Sequence, residues 1–357
     1  MTGVIAVAVA LLASVVTLID SIDETVMTMY GYQRHLAVIS PRNQLEVDPS
    51  VVAAVRALPM ERRIYPVRPV FSVVKTVFGK MPIVIFGLPP EGRDRVMAAC
   101  HLRLAEGRFP EEGKPEVALS ATVARNRGLR LGGIVLQPNS EDSFSAVPVR
   151  LVGTFEGPVW FQLTSETFVR RNFPVSPLSY IVMAPSPDAQ RRLDAALDRV
   201  VDKERARIWT YGQLVRETRD ALSSLYLIMN IVVTIVVLAI AVLIGMLATI
   251  YFTQRLPEFA TLAAIGYERG YLMLRALGEI ALLCGLGWAL GALLSVGLLA
   301  GIEVWLMDPR GLLLNPFDWP AYRYSAPLPL AIVALSLLTI GGRLRRMDPV
   351  SIIERRQ

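Results

Sequence analysis

The sequence predicts a membrane protein with four transmembrane helices and one large α+β extracytoplasmic domain inserted between spans 1 and 2. The 357-residue chain is 53% hydrophobic, and its mean hydropathy of +0.44 is high for a soluble protein. Its apolar residues are concentrated in four runs of a length suited to spanning helices. The polar stretch 21–222 separates the first run from the second and alternates short strand and helix patterns.

The first predicted span covers residues 1–20, and its uncharged core is GVIAVAVALLASVVTLI. A secretory signal peptide is the alternative, but the run has no basic segment before it and no small-x-small cleavage site after it. Apolar residues continue at helical spacing through Ile22, Val26 and Met29 until Gly31. We therefore expect an uncleaved helix that continues beyond the bilayer. The chain starts abruptly at this span, which suggests either that a cytoplasmic N-terminal helix is missing from this start site or that the chain is a shortened variant.

Residues 21–222 form the predicted extracytoplasmic α+β domain with helical stalks. Seven segments have the β-branched content and flanking Gly or Pro of strands: LAVIS, RIYPVRPVFSVVKT, MPIVIFGLP, EVALS, IVLQ, VPVRLVGTF and SYIVMAP. Three segments have helical patterns: PSVVAAVRALP, SATVARNRGL and SPDAQRRLDAALDRVVDKERA.

The C-terminal part alternates spans and connections. The predicted order is span 2 at 223–252, a cytoplasmic loop with a short helix at 253–273, span 3 at 274–302, an extracytoplasmic loop at 303–325, span 4 at 326–342 and a cytoplasmic tail at 343–357. The helix that contains span 2 is expected to start near Thr210, which forms a capping-box pattern with Gln213. A helix over 211–252 would be about 60 Å long, roughly twice the apolar thickness of a bilayer.

Arginines orient the predicted spans. Arg255 and Arg269 lie in the 253–273 loop, and five more follow the last span, at 343, 345, 346, 355 and 356. Cytoplasmic flanks are enriched in such cations, so both chain ends and this loop are predicted to lie inside the cell. The Trp- and Tyr-rich loop 303–325 is typical of the opposite interface.

Several function classes are not supported by the sequence. The large polar segment is nearly balanced in charge and has no basic stripe, and the arginine-rich tail suits a cytoplasmic flank, so the net charge of +6 does not indicate nucleic-acid binding. Cys100 and Cys284 stand alone, and His35 and His101 are isolated in the sequence, so neither a metal site nor a catalytic triad is predicted. No GxxxxGK[ST] loop occurs, so the chain is expected to be a non-enzymatic subunit without a cofactor.

The stretch QRLPEFATLAAIGYERGYL, residues 254–272, predicts a short amphipathic helix at the inner membrane surface. Pro257 and Glu258 suit its first turn, and Gly266 suits its end. The apolar face contains Phe259 and Leu262. Two interpretations remain open: a connector that rests on lipid headgroups, or a docking element for a cytoplasmic partner.

Three residues of span 3 are candidates for packing or polar contacts. Glu279 is costly in an apolar span unless it is paired or reaches the surface, so it either anchors the loop, contacts the bundle or extends to the cytoplasmic interface. Gly287 and Gly291 form a GxxxG pattern that permits close helix packing.

The stretch LPEFATLAAIGYERGYLMLRALGEIALL, followed by GLGWALGALL, resembles the core signature of FtsX-like permeases of ABC transporters, the MacB-type or type VII group. The loop is most similar to that of DevC-type exporter permeases, although Ala263 stands where a basic residue is usual. The tail MDPVSIIERR resembles the closing motif of the family, carried by Asp348 and Pro349, and LAEGRFPEEGKPEVALSATVARNRGLRLGG resembles its periplasmic signature.

The resemblance implies a multi-pass subunit of the bacterial inner membrane that couples ATP hydrolysis by a cytoplasmic ATPase subunit to export or extraction of a hydrophobic, lipid-like substrate. It implies that ATP is bound by that partner, that a second permease copy completes a homo- or heterodimer, and that a periplasmic membrane-fusion adaptor and an outer-membrane channel are possible partners. The implied ATPase-docking residues are Glu258, Phe259, Leu262, Ala264 and Gly266.

Two other function classes stay open. The first is a non-transporting signal transmitter of the same architecture that activates an extracytoplasmic cell-wall hydrolase. The second is an unrelated membrane-anchored domain with a binding or enzymatic role outside the cell.

Overall fold

The computed structural model describes residues 2–76, 79–255, 257–258, 261–262 and 265–345. They form two compact units. A helical unit is drawn from Met1–Ser21, Leu222–Trp305 and Leu314–Gln357, and a sheet unit is drawn from Ile22–Ala221 and Leu306–Leu313.

The helices and strands follow one another in a mixed order. Up to the sixth helix they are α1 (Thr2–Met29), β1 (Ala37–Pro41), α2 (Pro49–Arg56), β2 (Arg63–Thr76), β3 (Gly79–Leu88), α3 (Pro90–Ala99), β4 (Arg103–Gly107), β5 (Glu116–Ser120), α4 (Ala121–Asn126), β6 (Ile134–Leu136), β7 (Val149–Glu156), β8 (Gln162–Ser165), α5 (Glu166–Asn172), β9 (Ser179–Met183) and α6 (Pro187–Val200). They continue with β10 (Ala206–Trp209), α7 (Tyr211–Gln254), α8 (Arg269–Ile302), α9 (Trp319–Ser325) and α10 (Pro327–Arg345).

Three helices of the described residues are long and apolar enough to cross a membrane. The candidate spans are Thr2–Met29, Tyr226–Leu247 and Gly270–Arg310. The fourth predicted span, 326–342, coincides with the helix α10, but the total of four spans stays a prediction. α7 is a single helix of 44 residues, as the sequence predicted for 211–252.

The sheet unit contains ten strands among the residues that the structure describes. Their order is β10-β1-β9-β2-β3-β8-β5-β7-β4, with β6 paired to β7. The long strand β2 holds the order together, because its first part pairs with β9 and its second part pairs with β3. The pairs β3–β8 and β5–β7 are parallel, and the other pairs are antiparallel.

The fold subdivides the predicted polar domain more finely than the sequence patterns did. The seven predicted strands are present, and β2 has the predicted bounds 63–76. β4, β8 and β10, and the helices α3 and α5, were not predicted. α6 ends at Val200 instead of continuing to 206, because Asp202 accepts a hydrogen bond from the backbone N–H of Glu204 at 2.9 Å and forms a turn before β10. The predicted loop 303–325 contains the helix α9.

The Gly-Arg-Phe turn of the predicted periplasmic signature joins β4 to β5. Gly107 has a φ of +76°, and the Arg108 guanidinium donates two hydrogen bonds to the Glu116 carboxylate, at 2.7 and 2.6 Å. These hydrogen bonds lower the pKa of the Glu116 carboxyl. A Cβ atom on Gly107 would lie 2.1 Å from the carbonyl oxygen of Val152. Glycine is therefore required at this turn for both its backbone conformation and its size.

We expect Gly107→Ala to destabilise the sheet unit by about 2 kcal/mol or more, because it combines a strained φ with a backbone clash. Thermal unfolding of the purified full chain would measure the effect. Gly128→Ala is the matched control, since Gly128 also has a positive φ of +64° but nothing lies within 4 Å of an added Cβ. Equal melting temperatures for the two variants would contradict the clash.

Candidate functional site

Arg255 directly follows α7 and connects it to α8. The short helix predicted within residues 254–272 is called the docking segment below. The Nε of Arg255 lies 3.0 Å from Glu258 Oε2, and its Nη1 donates to Glu279 Oε2. Arg275 Nε lies 3.7 Å from the other carboxylate oxygen of Glu279. The side chains of Arg255 and Glu279 are 28% and 32% exposed, so their charges are only partly hydrated. Glu279 was predicted to anchor the loop, to contact the bundle or to extend to the cytoplasmic interface. Its ion pair with Arg255 favours the first of these roles.

The docking segment itself has the hydrogen bonds of a helical turn. The Thr261 hydroxyl donates to the carbonyl of Pro257 at 2.9 Å, and the backbone N–H of Ile265 donates to the carbonyl of Thr261 at 3.1 Å. Gly266 follows with a φ of +106°, a conformation that favours glycine and ends the turn. The predicted stop at Gly266 therefore has its expected backbone geometry.

The described side chains of this segment divide into two groups. Leu262 packs against the core of the helical unit, whose buried members include Leu272 and Ile280 of α8. Glu258 is exposed, and Ile265 is 71% exposed. Leu262 thus fixes the segment to the bundle, and the exposed residues are available to a partner.

Four predicted site residues lie outside the described residues. They are Phe259 and Ala264 in the docking segment, and Asp348 and Pro349 in the tail. Their assigned roles stay predictions.

Gly287 and Gly291 lie where α8 meets α1. A Cβ atom on Gly287 would lie 2.8 Å from Ile5 side-chain atoms, and one on Gly291 would lie 2.6 Å from the carbonyl oxygen of Ala6. One turn further along α8, the hydroxyl of Ser295 lies 3.1 Å from that of Ser14 in a buried position. The GxxxG pattern lies at the contact between these two helices, where larger side chains would clash.

The histidines and cysteines form no further site among the described residues. His35 and His101, isolated in the sequence, come together with ring centroids 6.3 Å apart. Cys100 is buried, and burial raises the pKa of its thiol to about 12, so it is a poor nucleophile. No group of three or more His, Cys, Asp and Glu side chains within the described part of the chain could hold a metal ion.

Sequence reasoning missed the central role of Arg255, which it used only as a marker of the cytoplasmic side. The spacing of Arg255 and Glu258, three residues apart, was a usable signal for a local ion pair. The contact between Arg255 and Glu279 bridges 24 positions, and no local pattern indicates it.

Comparison with known proteins identifies the C-terminal part of the chain. Residues 221–349 match the family described as FtsX-like permease C-terminal, which confirms the resemblance over the docking segment and α8. A comparison with curated proteins finds no match.

Two solved structures are similar to the chain at low TM-scores. The periplasmic region of MacB from Actinobacillus actinomycetemcomitans is 13% identical, with a TM-score of 0.32, and the match covers 52% of this chain and 92% of that one. The extracellular domain of the noncanonic ABC-type transporter YknZ from Gram-positive bacteria is 14% identical, with a TM-score of 0.32, and the match covers 49% of this chain and 100% of that one.

We expect Gly291→Leu to separate α1 from α8, because the larger side chain meets Ala6 and Val9. The substitution should lower the melting temperature of the purified full chain by several degrees. Gly297→Leu on the same helix is the control, since nothing lies within 4 Å of a Cβ atom there. A Gly291→Leu protein as stable as the control would show that the contact is dispensable.

Proposed function

We propose that the chain is the permease subunit of an ABC transporter that works with a separate cytoplasmic ATPase. The observation that carries the proposal is the family match over 221–349, which includes the docking segment and its ion-pair partner Glu279. These 357 residues contain no phosphate-binding loop, and we propose that the ATPase subunit binds and hydrolyses the ATP.

The contacts of the docking segment support a mechanical role. A force applied to the exposed residues Glu258 and Ile265 reaches α8 through the Arg255–Glu279 pair, and it reaches the core of the helical unit through the Leu262 packing. It also reaches α7, because Arg255 directly follows the last residue of that helix. Movement of the segment is thus coupled to both helices.

α7 supplies the second part of the proposed mechanism. The helix runs over 44 residues without a break, about 66 Å at 1.5 Å per residue. An uninterrupted helix transmits a displacement along its axis, whereas a hinge absorbs it. We propose that this helix carries ATP-driven motion away from the docking segment, and that the outcome is export or extraction of a hydrophobic or lipid-like substrate.

Partners beyond the ATPase belong to the same proposal. The exposed apolar side chains of α7, such as Leu227, Ile231 and Ile235, suit contact with lipid or with a second permease copy. A cytoplasmic-membrane location in a bacterium, a periplasmic adaptor and an outer-membrane channel follow from the exporter assignment and are proposed with it.

The first test is co-purification of the full chain with candidate ATPase subunits, followed by measurement of ATP turnover. We expect Glu279→Gln to leave the complex assembled but to weaken the influence of the permease on ATP turnover about fivefold, because loss of a partly exposed ion pair costs about 1 kcal/mol. Glu268→Gln is the control, since Glu268 is an exposed carboxylate near the same segment. Equal ATP turnover for both variants would show that the Arg255–Glu279 pair has no role in coupling. Failure of every candidate ATPase to bind would contradict the proposed permease function.

The second test interrupts the helix α7, which is proposed to transmit the motion. A Gly-Pro insertion after Tyr226 should interrupt α7, and an Ala-Ala insertion at the same position adds the same length while preserving helix. Spin labels at Asp188 and Glu268, both exposed, would report the ATP-dependent change in their distance within the assembled complex. We expect the change to persist with Ala-Ala and to be lost with Gly-Pro. A full change in the Gly-Pro protein would rule out transmission through α7.

A further inference from the structure

The sheet unit contains an open cavity of about 900 Å³. One face of β2 and β3 forms its floor, and β10 with the first turns of α7 forms one side. The volume falls within the range of small-molecule sites in proteins.

The floor of the cavity is apolar. Val67 and Phe71 of β2 line it together with Val84 and Phe86 of β3. Phe71 lies directly opposite Val84 in the strand pairing, and alternate residues of each strand share a face, so the four side chains lie on one side of the sheet. Val67 and Phe86 are buried there, whereas Phe71 is exposed and Val84 is half-buried. Phe71 is 62% exposed, which is unusual for a phenylalanine inside a sheet and leaves a hydrophobic surface without a cover from the described residues.

The edge of the cavity is cationic. Four basic residues line it, and two acidic residues, Glu217 and Asp220, oppose them; the basic residues are Arg42, Lys203, Arg207 and Arg216. Arg207 is already engaged, because its guanidinium lies 3.9 Å from the centre of the Trp209 ring and 3.3 Å from Glu217.

Two of these cations form no salt bridge with the described residues. Lys203 pairs with Asp198 at 3.0 Å, whereas Arg42 and Arg216 have no such partner there; Arg42 instead donates a hydrogen bond to the carbonyl of Lys203 at 2.6 Å. Both arginines line the cavity. Because the basic residues of the edge outnumber the acidic ones, the edge favours an anionic group on any molecule that enters the cavity.

We infer that this cavity binds an anionic amphiphile. Its apolar body lies on the floor around Phe71, and its carboxylate, phosphate or sulfonate group contacts Arg42 and Arg216. The role of such a ligand as transported substrate rests on the proposed function, whereas its binding needs neither ATP nor a partner.

The test uses the full chain in lipid nanodiscs without any ATPase and a photoreactive probe, a diazirine derivative of dodecanoate. We expect cross-links within 67–86 and 206–217, located by mass spectrometry. The double variant Arg42→Ala/Arg216→Ala should reduce labelling at these positions at least fivefold. Arg191→Ala/Arg192→Ala is the matched control, because both arginines are exposed on α6 and neither lines the cavity.

Further variants and competitors distinguish the contribution of the apolar floor to binding from that of the cationic edge. Phe71→Glu, at an exposed position that tolerates a charge, should abolish labelling, and Phe71→Leu should retain it. Unlabelled dodecanoate should compete, and neutral dodecanol should compete at least tenfold less. Labelling confined to the candidate spans, labelling unaffected by the arginine and Phe71→Glu variants, or equal competition by dodecanol would each overturn the inference. Any of these results would leave ATPase binding, and with it the proposed function, untouched.

Discussion

The apolar interior of a bilayer is the constraint on which the helical unit depends. Because it offers no water to the backbone, each N–H and C=O group within it must be satisfied inside the chain, and a helix does this locally. Long uninterrupted helices, α1, α7 and α8, are the result. Within such a medium apolar side chains gain little from meeting one another, so contact depends on shape. Gly287 and Gly291 supply that shape by bringing the backbone of α8 against α1.

The same constraint explains what the sequence could predict. Spanning helices are specified by long apolar runs, and the uninterrupted pattern of 211–252 correctly indicated one helix. β2 was found with exact bounds because β-branched residues and flanking turns mark both its ends. The strands β4, β8 and β10 are short, and β4 carries few β-branched residues. Their formation is decided by partners that lie far away in the sequence, such as β7 for β4.

The residues of the candidate sites also differ in whether neighbouring sequence or a contact with a distant segment reveals them. Glu258, Gly266 and Glu279 stand out in the sequence because a proline turn, a helix stop and a charge in an apolar run are local signals. The link from Arg255 to Glu279 is a tertiary contact and has no such signal. The cavity was even harder to predict from sequence, since Gln33, Phe71 and Arg216 come together from distant parts of the chain. Only the tertiary fold shows that an apolar face is left open beside an edge where basic residues outnumber acidic ones.

The contacts of Arg255 also bear on the two interpretations of the docking segment. A connector that rests on lipid headgroups would use its cations to bind their phosphates. Arg255 is instead engaged by Glu258 and Glu279, and Leu262 packs against the helical core. The described residues of the segment that remain exposed include Glu258, Thr261, Ile265 and Tyr267. An anionic membrane surface repels Glu258, whereas a groove on a protein can accept this carboxylate beside the apolar side chains, which supports the proposed docking to a partner.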